Sequence, residues 1–331
     1  GYEEDWKNGY ERRVEYQNLP VGEYSFEVVA VDRDLVYSEA PAVVELKVMH
    51  DARDEQIDEL EERVRERTRE LEETHRKLEE TQARLIDELE EELQIAHDMQ
   101  MRLMPAGPPR VEGVEVAGRC IPANHVGGDL FQYFVPSENR LTLAMADVTG
   151  HAMEAAIPVV MFSGILQNQM ARGDGLEELF GKLNDSLHDI LDSRTFVCFS
   201  MGEFDIGSGR FRLANAGCPY PYHFRASSGD IVELQVDAYP LGVRARTVYR
   251  LEETQLEAGD WLVLCSDGIA EAEDRDGDLF GFERTVEVIG AGCRDGLSAE
   301  ALIERLLAEV KGFCGGAAQG DDQTIVAMRV R

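Results

Sequence analysis

Apolar positions follow three successive rhythms along the 331-residue chain. Over residues 1–49 they alternate with polar ones, as in RRVEYQNLPVGEYSFEVVAVD (12–32), and NLPVGEY predicts a turn between two β-rich runs. A small β unit follows from that pattern. From Asp51 to Leu103 there is no glycine or proline, and Ile57, Leu60, Val64, Leu71, Leu78 and Leu85 recur at helical spacing. The last four stand seven apart, the period of a left-handed coiled coil, although Arg67, Thr74 and Thr81 weaken the seam. Beyond Leu85 the spacing shifts to Leu89, Leu93, Ala96, Gln100 and Leu103, a four-residue stutter that locally unwinds a supercoil. The helix reads either as a rigid spacer or as a parallel dimeric signalling helix. MPAGPP (104–109) stops it, since proline cannot continue a helix. The expected organisation is a β unit over 1–49, a coiled-coil helix over 50–104 and a third domain over 105–331.

In that third domain the pattern predicts strands near 113–119, 127–134, 141–147, 196–205, 210–217, 220–225, 247–251, 261–266 and 323–330. Helices are predicted near 152–171, 175–192 and 298–313. Short turns such as PSEN, GSG and SSGD join most consecutive strands. Antiparallel sheets with helices kept outside them follow, an α+β fold.

Composition narrows the choices. Thirty-three Lys and Arg against 65 Asp and Glu give a net charge of −32, with no basic patch evident, which argues against nucleic acid and anionic membrane as partners. That disfavours a nuclease or phosphodiesterase. Six isolated cysteines suggest neither a disulfide framework nor a zinc knuckle, so a reducing cytoplasm is expected. No apolar run is long enough to span a bilayer and no signal peptide is evident. The start GYEEDW, without methionine, suggests a piece of a longer chain.

Five aspartates at four strand ends then stand out. Asp129 follows Gly127 and Gly128 within VGGDLFQYF; Asp147 ends LTLAMAD; Asp267 ends WLVLCSD; Asp321 and Asp322 open the last strand. Each marks the end of a predicted buried strand beside a glycine or a tight turn. Separate turns could explain them one by one. One divalent-metal cluster would satisfy them all, and an all-oxygen donor set suits Mg²⁺ or Mn²⁺ over Zn²⁺.

The ordered segments VGGDLFQYF, ADVTGHAMEAA, NAGCPYPY, YPLGV, LEAGDWLVLCSDGIAEAED, DGDLFGFERTVEVI and GDDQTIVAMR resemble the SpoIIE/RsbU-type branch of the type 2C metal-dependent serine/threonine protein phosphatases. The likeness covers about 95–331 and includes AHDMQMRLMP, similar to a regulatory helix preceding the catalytic domain. The first fifty residues resemble the end of a three-Y, immunoglobulin-like sensor module, with Tyr10, Tyr16 and Tyr24 read as packing residues. The resemblance implies an α-β-β-α sandwich of two antiparallel sheets. It further implies two Mn²⁺ or Mg²⁺ ions: Asp147 bridging with the Val148 carbonyl, Asp129 on one ion, Asp267 and Asp321 on the other, and Asp322 less firmly assigned. His151 is either a general acid or a packing residue at a helix start. The implied substrate is a phosphoserine or phosphothreonine protein, in this family a small anti-sigma-factor antagonist; the sevens from Val64 to Leu85, for their part, predict a homodimer through the coiled coil. Gln132, Ala152 and Cys218 replace an acid, a glycine and a histidine usual in the family. Gln132 is read as weakening the support of one metal, Cys218 as a packed thiol, and the three together keep open a non-catalytic scaffold.

Overall fold

The computed structural model describes residues 15–49, 52–150, 153–192 and 194–331. Tyr10, His151 and Ala152 lie outside the described residues. The chain divides into two compact units, one through Asp87 and one from Glu88.

In the first unit, β1 (Gly22–Val28) and β2 (Ala42–Val48) form a two-stranded antiparallel sheet with Gly22 opposite Val48. Tyr24 donates its hydroxyl to the Pro20 carbonyl at 2.7 Å, and Tyr16 packs edge-on against Phe26. These two tyrosines are packing residues, as the sequence suggests. Helix α1 (Ala52–Met101) follows. Ile57, Leu60, Val64, Leu71, Leu78 and Leu85 are all exposed along it.

The second unit is a four-layer α-β-β-α sandwich. Its first sheet is built from β4 (Asp129–Ser137), β5 (Arg140–Val148), β6 (Val197–Asp205), β7 (Arg210–Ala216) and β10 (Glu252–Gln255), in the order β10-β7-β6-β5-β4. Its second sheet is built from β3 (Val114–Ile121), β8 (Tyr222–Phe224), β9 (Ile231–Glu233), β11 (Trp261–Cys265) and β12 (Gln323–Val330), in the order β3-β12-β11-β8-β9. Every pairing is antiparallel. Strand alternation explains the layering. Leu141, Leu143 and Met145 of β5 face Leu262, Leu264 and Val326 between the sheets, while Ala144, Ala146 and Val148 face outward. There they meet α2 (Met153–Met170) and α3 (Leu176–Ile190), whose Phe162 and Phe180 lie 5.0 and 4.9 Å from the Phe199 ring. On the other side α5 (Gly281–Arg294) and α6 (Ala299–Cys314) cover Trp261, Val263 and Ile325. Strand β11 is buried on both faces, which accounts for its unbroken apolar run.

The structure adds α5, which the sequence pattern does not suggest. Gly290 and Gly292 interrupt its apolar stripe, yet a Cβ at Gly292 would come 2.4 Å from Leu302 Cδ1, so glycine is what lets α5 lie close to α6. Residues 247–251, expected as a strand, instead belong largely to a loop. Tyr249 is buried there and donates its hydroxyl to Asn184 of α3, and the pairing with β7 starts at Glu252.

Candidate metal centre

The β4–β5 ladder sets Asp129 directly opposite Asp147, the first residue of one strand against the penultimate residue of the other. The Val148 N–H donates to the Gly128 carbonyl at 3.0 Å. A Cβ on Gly128 would fall 2.5 Å from the Val148 carbonyl oxygen, so only glycine admits this approach. On the second sheet, Asp267 opens a single helical turn, α4 (Asp267–Ala270), just after β11 ends, and Asp321 and Asp322 lead into β12. Ser266 joins these strand ends: its Oγ donates to the Asp322 carbonyl at 3.0 Å and accepts from the Thr324 N–H at 2.9 Å. A Cβ on Gly268 would come 2.1 Å from that same Asp322 carbonyl oxygen.

Asp322 holds the two sheets to one another. Its Oδ1 accepts from the Ala123 N–H at 2.8 Å, and its Oδ2 from the N–H groups of Gly128 at 2.6 Å and Asp129 at 3.2 Å. A Cβ on Gly127 would sit 1.9 Å from Oδ2. Gly127 is therefore required where one sheet's backbone closes over a carboxylate from the other, and Gly128 where the Val148 carbonyl approaches. Both oxygens of Asp322 being engaged, its role is to fix the loop that carries Asp129.

The Asp129 carboxylate accepts no backbone N–H among the described residues, and only the Thr324 and Ser266 hydroxyls lie near enough to offset its burial. It is 3% exposed, and its Oδ2 is buried without a hydrogen bond among the described residues. Burial first, then the charge of Asp147, push its carboxyl well above the usual carboxylate range. Asp147 is pushed up to about 7 by burial and by the charges of Asp267, Asp321 and Asp322. Asp267 is raised by burial and by Glu271. Asp321 is exposed, and its Oδ1 accepts from the Asp322 N–H at 2.8 Å. As they stand, no three His, Cys, Asp or Glu side chains among the described residues gather closely enough to hold an ion. The donor chemistry nevertheless fits a hard divalent cation: an orphaned buried carboxylate oxygen, a carbonyl and further acids, with glycines making room between them.

A crevice beside Asp147 and Asp267 is lined by Cys198, Gly217, Cys218 and Ser266. Cys218 is buried with its thiol directed at the Met145 carbonyl, 3.9 Å away, and burial pushes both thiols up, Cys198 to about 12. The packed-thiol reading of Cys218 agrees with this.

Two glutamines change the picture. Gln132 does not face the acids. Three residues from Asp129 on a strand, it points to the opposite face, where its Nε2 donates to the Leu103 carbonyl at 2.9 Å and to Ser163 Oγ at 3.4 Å, and its Oε1 accepts from Gln167. The expectation that Gln132 bears on the support of one metal finds no contact here, since its partners lie on the opposite strand face from the acids. Gln100, in α1, forms a two-point clasp instead: its Nε2 bonds the Gly127 carbonyl and its Oε1 accepts the Gly127 N–H at 2.9 Å. The sequence signal for it was a polar residue in an otherwise apolar seam.

A family model described as Stage II sporulation protein E (SpoIIE) matches residues 137–331, more than half of the chain. The chain belongs to the SpoIIE family. Among curated relatives of this SpoIIE-family chain, phosphoserine phosphatase RsbU of Bacillus subtilis (strain 168) is 24% identical over 192 residues, covering 58% of this chain and 57% of RsbU. This SpoIIE-family chain spans about half the length of the curated relatives it matches. The solved RsbU and RsbW domains of Rv1364c from Mycobacterium tuberculosis are 25% identical at a TM-score of 0.58, covering 69% of this chain and 63% of that one. The SiaA-PP2C domain of Pseudomonas aeruginosa has the same fold at a TM-score of 0.64 and 19% identity, covering 74% and 98%.

Proposed function

We propose that the second unit is a metal-dependent phosphatase acting on phosphoserine or phosphothreonine in a regulatory protein. The observation that carries this is the buried, unpartnered Asp129 oxygen facing Asp147 across the β4–β5 ladder, in a family whose relative RsbU is named a phosphoserine phosphatase. Asp129, Asp147, the Val148 carbonyl, Asp267 and Asp321 would hold two Mn²⁺ or Mg²⁺ ions. When bound, such a pair acidifies water and offsets charge building on a phosphoryl group. The chain's part is placement. The ladder register fixes two acids, the Asp322 carboxylate fixes the loop before Asp129, and Ser266 locks the strand ends on the second sheet. Cys198 and Cys218, with their raised thiols, are packing groups and supply no nucleophile.

The exposed heptad positions of α1 support a parallel dimer, and the Gln100 clasp on Gly127 gives its C-terminal end a grip on the loop before Asp129. We read α1 as the element that switches the centre, and the substrate as a small anti-sigma-factor antagonist. The test is hydrolysis of p-nitrophenyl phosphate and of a phosphoserine peptide with Mn²⁺ or with EDTA. Turnover that needs Mn²⁺ or Mg²⁺ and stops in EDTA is expected; turnover indifferent to EDTA, or none with either metal, overturns the reading.

A further inference from the structure

One segment runs against the charge of the whole chain. Residues 240–250, PLGVRARTVYR, carry Arg244, Arg246 and Arg250 with no acid among them, in a protein of net charge −32. All three arginines are exposed, and among the described residues their guanidinium groups enter no ion pair within 4 Å and no hydrogen bond. Two neighbouring acids are already engaged: Asp185 Oδ1 accepts from the Arg246 N–H, and Asp192 Oδ1 from the N–H groups of Arg194 and Thr195. The absence of a basic patch expected from the sequence therefore fails locally.

The loop is held in place. The Asn184 amide, fully buried on α3, donates to the Arg244 carbonyl at 3.0 Å and accepts from the Gly242 N–H and the Tyr249 hydroxyl, each at 3.1 Å. Thr247 Oγ1 donates to the Arg244 carbonyl at 2.7 Å, and Arg246 sits at φ +56°, a left-handed conformation that a non-glycine residue adopts at a cost. A turn so restrained presents its side chains without a large ordering penalty. Val243, Val248 and Tyr239 are exposed beside the arginines, giving the mixed apolar and cationic surface common at protein contacts.

The loop also borders the acid cluster. Leu241 pairs with Val197 on the strand next to Asp147 and Val148, occupying the place that β7 leaves at this end of the sheet. Gly217, in the crevice with Asp147, leaves room for Pro240, whose Cγ would lie 2.7 Å from a Cβ there. Arg194 stands three residues before Val197, beyond the start of that strand, and Arg244 three residues after Leu241, where the chain has turned at Gly242 onto Asn184 of α3.

We infer that this loop is the docking surface for an acidic segment flanking the phosphorylated side chain of the protein substrate. The inference rests on the phosphatase reading for the identity of its partner. Guanidinium groups recognise carboxylates through paired N–H donors, and a local cationic rim lets an acidic chain approach a protein that otherwise repels it. The test uses the full chain in EDTA at 50 mM salt, with two fluorescein-labelled phosphoserine peptides that differ only in glutamate or glutamine flanks. Fluorescence anisotropy is expected to show at least about fivefold tighter binding of the glutamate peptide, lost at 0.5 M NaCl and in R244Q/R246Q, whose thermal melt reports that it is folded. Equal affinity for the two peptides, or a full preference kept by the folded double variant, overturns the inference. Metal-dependent hydrolysis of p-nitrophenyl phosphate is read separately, so failure of the centre and failure of the loop are told apart.

Discussion

Two aspartates of equal burial, one at each end of the sandwich, are treated in opposite ways. Asp260, 3% exposed just before β11, has every oxygen used: Oδ1 accepts from the Ala226 N–H at 2.8 Å, and Oδ2 meets the Glu257 N–H and His223 Nε2, each at 3.0 Å. Asp129, also 3% exposed, keeps an oxygen with no partner and faces another carboxylate. Burial alone therefore does not mark a functional acid; the difference is whether the fold completes its hydrogen bonds. At the far end it does, and the acid is a fastening. At the near end the fold holds acids against their mutual repulsion, at a cost in stability.

The sharpest break of that contrast is Asp147→Asn. Mn²⁺-dependent turnover should fall at least about 10²-fold, while the melting temperature in EDTA should not drop, since a repelling charge has been removed. Undiminished turnover, or a variant that melts well below the parent in EDTA, would place Asp147 with the fastenings. At the other end, Asp260→Ala strands two N–H groups and a buried histidine, so urea unfolding should lose about 3 kcal/mol. A loss within error would show that end to be far less dependent on its hydrogen bonds.

Smaller effects probe the link between α1 and the near end. Inserting four residues after Leu85 should change turnover several-fold by resetting the helical phase, and inserting seven should nearly preserve it. Equal rates would separate α1 from the centre. Gln100→Ala should raise the Mn²⁺ concentration for half-maximal rate by a few-fold, because Gly127 loses its clasp; an unchanged requirement would make that clasp a packing feature only.

The mildest test is pH. Asp147 titrates near 7 in the folded protein and near the ordinary carboxylate value when unfolded, so between these the folded chain binds the extra proton. In EDTA the protein should lose stability as pH rises from 5 to 7 and level off above, and Asp147→Asn should flatten that slope. A parent protein that gains stability over this range in EDTA would contradict the repulsion described for the near end.

The two ends also differed in how legible they were. Alternating strands and short turns announced the α+β layering, and the aspartates at strand ends announced the candidate site, because each signal is local. Gln132 was misread because position along a motif says nothing of which strand face a residue takes. The α5 stripe was hidden by Gly290 and Gly292, which look like interruptions until α6 is seen against them. The arginine loop was hidden by averaging: three cations vanish in a chain with 65 acids, and their relation to Asp147 depends on a bridge between Val197 and Leu241. The Asp260–His223 fastening joins residues 37 apart in sequence, with no motif to signal it.

The Asp322 carboxylate has a consequence for the order of events when the chain is made. It reaches the Gly128 N–H across 194 residues of sequence, so the loop before Asp129 cannot take its final form until β12 has been synthesised and laid between β3 and β11. Contacts of such separation form late in folding, after the local hairpins. A nascent or half-folded chain thus exhibits its hairpins without an organised acid cluster, and the appearance of that cluster reports that both sheets have been completed.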